Sequence, residues 1–431
     1  ERGFGFAIGV NVITGTTLGS INRASIDAGG AVEVTAKNDN TLRSVGISAG
    51  AGKDVGIAFT MGINIITNTI RAEIASTVST RAGSVKVAAE DDSTLQAIAG
   101  SLGIGLNTAG FGGAVGFNLV KNSITAAVDS STLKGIAGTV VVSAKSTESD
   151  SLIDGKILAL AVGAAGSKGT AVGGGLAING ITNTVDAHVK SSTIENKRDI
   201  TVEAIDASSI KSLTGGAALS VGGNAAVGIA LSANFIANTV TAKVDGSTLN
   251  NQANDSTGSV IVHADETGSI DSLAIGLGLG GKVSVAGSVT VNVIVDTVEA
   301  AVIGASAVKT AGNMRTYARN MAHAGTVAGQ VAIGGTAGVG AAITNVDIIN
   351  RTKAWIGGSA TIDADARVPS FKDTSGRQVK GVSVEADSPK DVVIIAVGAA
   401  GGGTAGIAGS FSVTVIDDVT WTADGIGGAN D

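Results

Sequence analysis

A short string recurs along the chain at nearly regular spacing, and this repeat limits the fold more than any other feature of the sequence. The string begins at Asn68 as NTIRAEI and returns as NSITAAV, NTVDAHV, NTVTAKV, DTVEAAV and NRTKAWI, beginning at Asn122, Asn183, Asn238, Asp296 and Asn350. Fainter copies begin at Gly15 and Asp418. The intervals between consecutive copies are 53, 54, 61, 55, 58, 54 and 68 residues. A period of this length indicates an array of stacked structural repeats.

A second string shows where the repeat varies in length. It reads GAVEVTAK around Val32 and recurs at Val85, Val140, Ile200, Val260, Met314 and Val382. The two strings together define a basic unit of about 53 or 54 residues, with short inserts near residues 157 and 250 and an insert loop at about 357–380, which contains Pro369. We expect residues 1–431 to be a single repeat array, a fragment of a longer chain, with units that begin near residues 15, 68, 122, 183, 238, 296 and 350 and a last partial unit from 418.

The composition favours strands with small side chains over an ordinary globular core. The chain has 64 Gly and only two Pro, its aromatic residues amount to 3%, and its hydrophobic residues to 44%. This is too little Pro for collagen, and the mean hydropathy of +0.38 is too high for a solvated, disordered chain. A folded, strand-rich chain is the structure that these values favour.

Within each unit the hydrophobic pattern has a period of two, which indicates strands. After Asn68, apolar residues stand at every second position, as Ile70 and Ile74 do. Over residues 55–64, Val, Ile, Phe and Met alternate with Gly, Ala, Thr and Asn. We expect the large apolar side chains of this longer strand to face inward, and the small ones to form a flat outer face that a partner can approach closely.

Two adjacent apolar residues, Ile65 and Ile66, reverse the alternation just before Asn68. We therefore expect a corner of the chain at this anchor residue, because Asn tolerates the left-handed region and hydrogen-bonds to its own backbone. If neighbouring units stack, the anchors form an internal ladder of amide hydrogen bonds. The predicted corner ladder consists of Asn68, Asn122, Asn183, Asn238, Asp296 and Asn350.

Three strand arrangements fit the repeat, and all of them belong to the all-β class. A whole unit can form one flattened coil of a β-solenoid, so that equivalent residues stack at about 4.8 Å. Alternatively, three coils of about 18 residues make one unit. Tight-turn signals near residues 51, 166 and 222 also allow an antiparallel meander of very long strands. The sequence favours a repetitive parallel β-solenoid of about seven units and leaves the coil size open.

The repeat resembles the passenger regions of filamentous-haemagglutinin-like and leukotoxin-like repetitive bacterial surface adhesins. The pattern reads N-T-x-x-A-x-[IV], S-T-[LI], G-x-V-x-V-x-A and a Gly/Ala-rich segment that ends in V-x-x-N, and it covers essentially the whole chain. The resemblance implies a right-handed parallel β-helix that is exported to the cell surface and mediates attachment.

Charge and residue types exclude several classes of partner. The net charge is −7, and no run of Lys and Arg is dense enough to neutralise a series of phosphates, so we expect no nucleic acid partner. Without Cys the chain has no disulfide and no thiolate zinc site. The charge-free run 392–416 is long enough for a membrane helix, but its Gly, Ser and Thr content and its period of two argue against a membrane span.

We expect no cofactor, and the acidic pairs of the chain leave calcium as the one metal to consider. Asp91 with Asp92, and Asp363 with Asp365, provide the carboxylate oxygens that calcium prefers. Neither pair has the residue spacing of a known calcium loop. Ordinary surface charge is therefore the favoured interpretation of both pairs.

If one coil contains one unit, outward positions of successive units line up and form a polar strip with one aromatic side chain. This candidate contact strip consists of Asp186, His188, Lys243, Glu299, Lys353 and Trp355. Such a surface suits a sugar, although an ordinary solvated face is the simpler interpretation.

The sequence therefore predicts a non-catalytic, adhesive rod segment of a secreted or surface-anchored bacterial protein. Its partner would be a glycan or protein on a host or neighbouring cell, and lateral self-association of rods is an additional option. A β-helical polysaccharide-degrading enzyme is the alternative from another class, but it normally needs clustered carboxylates and several aromatic residues. A self-assembling extracellular fibre subunit is the third alternative.

Overall fold

The computed structural model describes residues 1–147, 155–252, 257–373 and 376–423, and the chain is a parallel β-solenoid. The register gives the coil size, because Arg2 pairs with Val55, Val55 with Ala109, and Ala109 with Thr170. Each of these residues occupies the same place in its own repeat unit. One coil therefore contains one whole unit, which is the first of the three arrangements that the sequence allowed.

Each coil contains a front strand, a short strand and a back strand, and the front or back strand is divided in some coils. The first coils contain β1 (Arg2–Asn22), β2 (Ser25–Asp27), β3 (Ala31–Asn38), β4 (Thr41–Gly52), β5 (Val55–Ala75), β6 (Val78–Arg81), β7 (Ser84–Asp91), β8 (Thr94–Gly105), β9 (Ala109–Asp129), β10 (Thr132–Ile136), β11 (Val140–Ser146), β12 (Ile157–Ser167), β13 (Thr170–Ile181), β14 (Thr184–Lys190), β15 (Thr193–Asn196) and β16 (Ile200–Ser220). The later coils contain β17 (Ala225–Ile236), β18 (Thr239–Asp245), β19 (Thr248–Asn251), β20 (Val260–Gly280), β21 (Val283–Ile294), β22 (Thr297–Ile303), β23 (Ala307–Thr310), β24 (Met314–Gly334), β25 (Ala337–Ile356), β26 (Thr361–Ala364), β27 (Phe371–Lys372), β28 (Gln378–Val379), β29 (Val382–Asp387), β30 (Lys390–Gly402) and β31 (Ala405–Ala423).

Three parallel sheets run along the solenoid. The front sheet contains β1, β5, β9, β13, β14, β17, β18, β21, β22, β25 and β31. The back sheet contains β3, β4, β7, β8, β11, β12, β16, β20, β24, β29 and β30. The short sheet contains β2, β6, β10, β15, β19, β23 and β26, and closes one end of each coil.

The coil has a thick half, where all three sheets surround an aliphatic core. In the second coil this half comprises residues 68–93, and Ile70, Ile74, Val85 and Val87 are buried in it. The same positions carry Ile or Val in most of the other coils, so the core consists of similar layers. Burial of one such side chain stabilises by roughly 1.5–3 kcal/mol, and the stacked layers are therefore the main source of stability.

The other part of the coil is a thin half, in which the front and back sheets face each other directly across small side chains. In β5 the side of Gly56, Ala58 and Thr60 is buried between the sheets, whereas Ile57 and Phe59 point outward. The prediction that large apolar side chains of this strand face inward is therefore wrong. The small residues line the interior, and the large ones form the outer surface.

The distance between the two sheets explains this reversal. A methyl group added to Gly173 would lie 1.9 Å from the carbonyl oxygen of Ala217 on the opposite sheet, and one added to Gly56 would lie 1.9 Å from the oxygen of Ile104. Sheets that pack through ordinary side chains are about 10 Å apart. Here the backbones approach so closely that only Gly and other small residues fit between them.

The predicted corner at the anchor is also wrong, because the inward-facing set continues through it. Ile66, Asn68 and Ile70 point inward in phase with Gly56. Ile65 and Ile66 therefore mark the position at which the large apolar residues change from the outer to the inner face. The strand itself does not turn there.

The corner lies eight residues after each anchor. A positive φ recurs there in successive coils, at Arg23, Ser76, Ser130, Ser191, Gly246, Gly304 and Gly358. In five of these seven coils the next residue is Thr or Ser, and the hydroxyl of Ser131 accepts a hydrogen bond from the backbone N–H of Thr77 at 3.1 Å. Ser192 accepts in the same way from Ser131 at 3.0 Å. The S-T-[LI] part of the repeat is thus the corner signal.

The insert begins later than the sequence indicated. Thr361–Ala364 pair with β23 and extend the short sheet, so residues 357–360 belong to the regular corner. Backbone hydrogen bonds join the chain to the preceding coil as far as Arg367, and beyond it the chain forms the antiparallel pair β27–β28. The charge-free run 392–416 lies in β30, β31 and their connecting turn. Among the described residues there is no helix long and apolar enough to cross a membrane.

Candidate interaction surfaces

The predicted contact strip lies on the outside of the front sheet in the thick half. The strand register brings its members together in two adjacent columns. Asp186, Glu299 and Lys353 lie in the first column, and His188, Lys243 and Trp355 lie in the second. The strip is continuous over four coils, from β14 to β25.

Glu299 is the centre of the strip. Its carboxylate lies 2.5 Å from the Lys243 ammonium and accepts a hydrogen bond from Trp355 Nε1 at 2.8 Å. Burial alone would raise the pKa of Glu299, but Lys243 and Trp355 outweigh it, and the pKa is lowered. The Lys353 ammonium lies 4.0 Å from the centre of the Trp355 ring, a distance typical of a cation–π contact. The indole is therefore fixed at its N–H edge and covered on one face.

His188 belongs to a second charged group in the strip. Its Nδ1 lies 2.6 Å from Asp186, and its Nε2 lies 3.2 Å from Asp129 in the preceding coil. Burial alone would lower the pKa of His188, but the hydrogen bonds to both carboxylates outweigh it and raise the pKa to about 9. His188 is thus a cation at neutral pH, which makes it a poor general base.

The back sheet carries an aromatic stack that sequence reasoning missed. The rings of His263 and Tyr317 lie 4.3 Å apart, and the Arg315 guanidinium lies 4.5 Å from the Tyr317 ring and 5.2 Å from the ring of Phe371. Arg315 also forms a bidentate ion pair with Glu385. Burial, together with the charge on nearby Asp265, raises the pKa of Tyr317 to about 12. Phe371 belongs to the insert, so the insert folds back onto this sheet.

The six anchor residues lie in one buried ladder inside the solenoid, between the two halves. The Asn122 side-chain oxygen accepts a hydrogen bond from the backbone N–H of Asn68 at 2.9 Å, and Asn238 accepts from Asn183 at 2.7 Å. The bonds thus run from backbone to side chain, not from amide to amide as the sequence suggested. The side-chain NH₂ groups instead reach the back sheet, as Asn122 does to Asp91 at 2.7 Å.

A second ladder, of amide to amide bonds, lies at the V-x-x-N end of the repeat. Consecutive side-chain amides are bonded at 2.8–2.9 Å from coil to coil. Its members are Asn11, Asn64, Asn118, Asn179, Asn234 and Asn292. Sequence reasoning placed Asn64 on the outer face, and the reversed parity of the thin half accounts for that error.

The anchor ladder contains a group of buried acids where Asp296 replaces Asn. Burial raises the pKa of Asp296 to about 7. Burial and the charges of Asp206 and Asp296 also raise the pKa of Glu266, which accepts a hydrogen bond from Asn238 at 3.0 Å. Elsewhere in the same interior, the buried Lys156 Nζ lies 3.7 Å from Asp91 and donates to Ser146 at 2.6 Å. The polar interior between the halves thus contains ionisable side chains as well as amides.

The acidic pairs considered for calcium have other partners. Asp91 points inward and accepts a hydrogen bond from Ser93 at 2.7 Å, while Asp92 points outward and pairs with Lys37 at 2.8 Å. The two carboxylates therefore lie on opposite sides of the strand. Asp365 pairs with Arg367 at 2.5 Å. Within the described ranges, no group of three or more His, Asp or Glu side chains is arranged to hold a metal ion.

Both outer surfaces of the thin half are apolar. On the front sheet, five columns of outward-facing residues start at every second residue from Phe4 to Val12 in β1 and continue through the seven later coils. The only polar residues in these columns are Asn345 and Asp347. Four columns of the back sheet, from Val45 to Ala51 in β4 onward, contain only apolar residues and Gly. Both faces are exposed to solvent even in the inner coils, where Leu231 on the front sheet is 37% exposed and Ile275 on the back sheet is 45% exposed.

The size of these two surfaces is unusual for a monomer. With strands about 4.8 Å apart and residues of one face about 6.7 Å apart, the columns cover roughly 1,300 Å² on the front sheet and roughly 900 Å² on the back sheet. The largest apolar patch of a typical soluble monomer is about 300–600 Å². We call these two surfaces the front apolar face and the back apolar face.

Comparison with protein-family models, curated proteins and solved structures finds no match to this chain. The fold and the surfaces are therefore the basis for any functional conclusion.

Proposed function

We propose that the chain is a structural, adhesive segment of an exported bacterial surface protein, and that it acts by binding rather than by catalysis. The observation that carries this proposal is the stacking of one unit per coil, which lines up equivalent outward side chains as columns on wide, flat faces. Such faces offer many equivalent contacts to a cell-surface glycan or protein, and repeated weak contacts add up to avidity. The resemblance of the repeat pattern to surface adhesins supports export.

The contact strip is the part of this surface that best suits a polar ligand. Trp355 offers an aromatic ring beside the charged groups of Lys243 and Lys353, and aromatic and charged side chains are common in recognition surfaces. His188 is held as a cation between two carboxylates, which favours a binding role over general-base chemistry.

A binding and turnover experiment tests the proposal. The labelled chain is applied to panels of cell-surface glycans and to intact cells, and the same glycans are analysed for depolymerisation. We expect saturable binding without cleavage, and at least about tenfold weaker binding for the Trp355→Ala variant, because alanine removes the aromatic contact area. The Lys309→Ala variant, altered on the short sheet, serves as the control and should bind normally. Glycan turnover would show an enzyme instead, and binding insensitive to Trp355→Ala would remove the strip from the proposal.

A further inference from the structure

The front apolar face is larger than the apolar patches that soluble monomers usually expose, and its residues indicate what covers it. A stable protein interface buries about 800 Å² on each partner, so the face of roughly 1,300 Å² exceeds the need of one such partner. The face also repeats every coil, so a partner with the same spacing would match it along its whole length. A second copy of this chain has that spacing.

The central column of the front apolar face shows how two copies fit. Read from the first coil to the last, it contains Phe6, Phe59, Gly113, Gly174, Ile229, Gly287, Ala341 and Gly409. Its large residues cluster at one end, and small residues predominate at the other. Near the small end, at Gly287 and Ala341, the face has a hollow of about 280 Å³ whose walls include Val285, Val289 and Ile343.

A copy rotated by 180° about an axis parallel to the strands reverses the order of the coils. Phe6 of one copy then faces Gly409 of the other, Phe59 faces Ala341, and Ile229 faces Gly174. Every large residue of the column thus meets a small one, and the one remaining pair is Gly113 with Gly287. This is the self-complementary arrangement that a two-fold interface requires.

The corresponding column of the back apolar face does not have this property. It contains Ile47, Gly100, Val162, Gly215, Ile275, Gly329 and Val397. When its order is reversed, Ile47 faces Val397 and Val162 faces Ile275, so large residues meet large ones and Gly meets Gly. The complementarity is therefore a property of the central front column, and its counterpart on the back sheet lacks it.

We propose that two copies of this chain associate through their front apolar faces, with antiparallel solenoid axes and both thin halves on the same side. This inference depends on the apolar face alone and is independent of the adhesive function.

Sedimentation of the 431-residue chain tests the association and its surface. We expect a dimer of about 84 kDa at micromolar concentration, twice the mass of one chain. Leu231→Lys places a charge at the centre of the front apolar face and should weaken the dimer at least about a hundredfold, since a buried unpaired charge is costly. Ile275→Lys places the same charge on the back apolar face and should leave the dimer intact. Both side chains point to solvent in the single chain, so both variants should fold, as circular dichroism will verify.

A size exchange tests the antiparallel geometry. Phe59→Ala leaves a void against Ala341 of the second copy, and Ala341→Phe places two large rings against each other, so each variant alone should weaken the dimer about tenfold or more. The double variant restores one large and one small residue at each contact and should recover most of the affinity.

Four results would overturn the proposal. The first is a chain that stays monomeric at high micromolar concentration, and the second is a dimer that Leu231→Lys and Ile275→Lys weaken equally. The third is a dimer that none of the front-face variants changes. The fourth is a monomer that floats with phosphatidylcholine vesicles unless Leu231 is replaced by Lys. The third result would indicate pairing through another surface of the chain, and the fourth would identify a lipid surface as the occupant.

Discussion

At the scale of single residues, His188 shows how a repeat can carry a position-specific charge. Its imidazolium is held by Asp186 in its own coil and Asp129 in the preceding one. Equivalent positions in neighbouring coils carry Ala127 and Lys243, so this charged group occurs once in the strip. Its effect on stability should therefore be measurable without interference from copies.

The raised pKa of His188 predicts a pH-dependent contribution to folding. Because the pKa is about 9 in the folded chain and about 6.5 when unfolded, the stabilisation is complete below pH 6.5 and disappears as pH rises through 9. We expect His188→Gln to lower the free energy of unfolding by roughly 2–3 kcal/mol at pH 6 and by much less at pH 10. Urea denaturation at both pH values measures this difference. An equal loss at both values would contradict the assigned charge.

The buried acid Asp296 predicts a loss of stability in the same direction of pH, but through a penalty on its charged form. Its pKa is raised to about 7, so the folded chain is penalised as pH rises from the unfolded value near 3.8 through 7. Asp296→Asn introduces the residue of the neighbouring anchors, keeps an acceptor for the Asn238 N–H and removes the charge. We expect it to stabilise by at least about 1 kcal/mol at pH 8 and by little at pH 4. Urea denaturation that shows no gain at pH 8 would argue against a charged Asp296 in the folded state.

At the scale of the elements, the thin half depends on the absence of side chains between its sheets. Gly173 and Gly174 are adjacent in β13 and point to opposite faces, so they form a matched pair. A methyl group at Gly173 would lie 1.9 Å from the Ala217 oxygen, whereas one at Gly174 would lie 3.7 Å from the Ile229 oxygen.

We therefore expect Gly173→Ala to destabilise by about 3 kcal/mol or more, because the sheets must separate to admit the methyl group. Gly174→Ala should be neutral or stabilise by up to about 1 kcal/mol, since alanine restricts the unfolded chain. Thermal denaturation of the two variants compares them directly. Equal effects would mean that the sheets are not in close contact.

The alternation in β5 shows how far the sequence can predict this fold. The repeat predicted a β-solenoid, and the structure confirms that class. The side on which each residue lies could not be predicted by the rule that large apolar residues are buried, because that rule fails where two backbones nearly touch. Gly56 faces the interior and Ile57 faces outward, which is the reverse of what burial of the larger side chain would give.

The positions of side chains in space were predictable only where they followed from stacking. The columns of Lys243 and Trp355 follow from the repeat once one unit is assigned to one coil. The stack of Arg315, Tyr317 and Phe371 does not, because Phe371 lies in an insert that no other unit contains. The corner at Ser76 was hidden because Ser, unlike Gly, is not a strong signal for a positive φ.

At the scale of the whole molecule, one unit per coil gives a short, wide plate instead of a long rod. Eight front strands about 4.8 Å apart extend about 35–40 Å along the solenoid axis, and a 21-residue strand such as β5 extends about 70 Å across it. Three coils per unit would give an axis of about 110 Å. Small-angle scattering of the monomeric Leu231→Lys variant separates the two shapes, and a particle longer than 100 Å would contradict the coil assignment.

Small residues fill the thin half and large apolar residues cover it, and the absence of Cys allows a direct test of this arrangement. Single cysteines are placed at Ile229, Ala230, Leu231 and Ser232 in β17, and their reaction with a maleimide is timed at nanomolar concentration, where the chain is monomeric. We predict rapid labelling at Ile229→Cys and Leu231→Cys, which point outward, and labelling of Ala230→Cys and Ser232→Cys only after denaturation, because these positions are buried. Rapid labelling of the second pair with protection of the first would contradict this arrangement of the two faces.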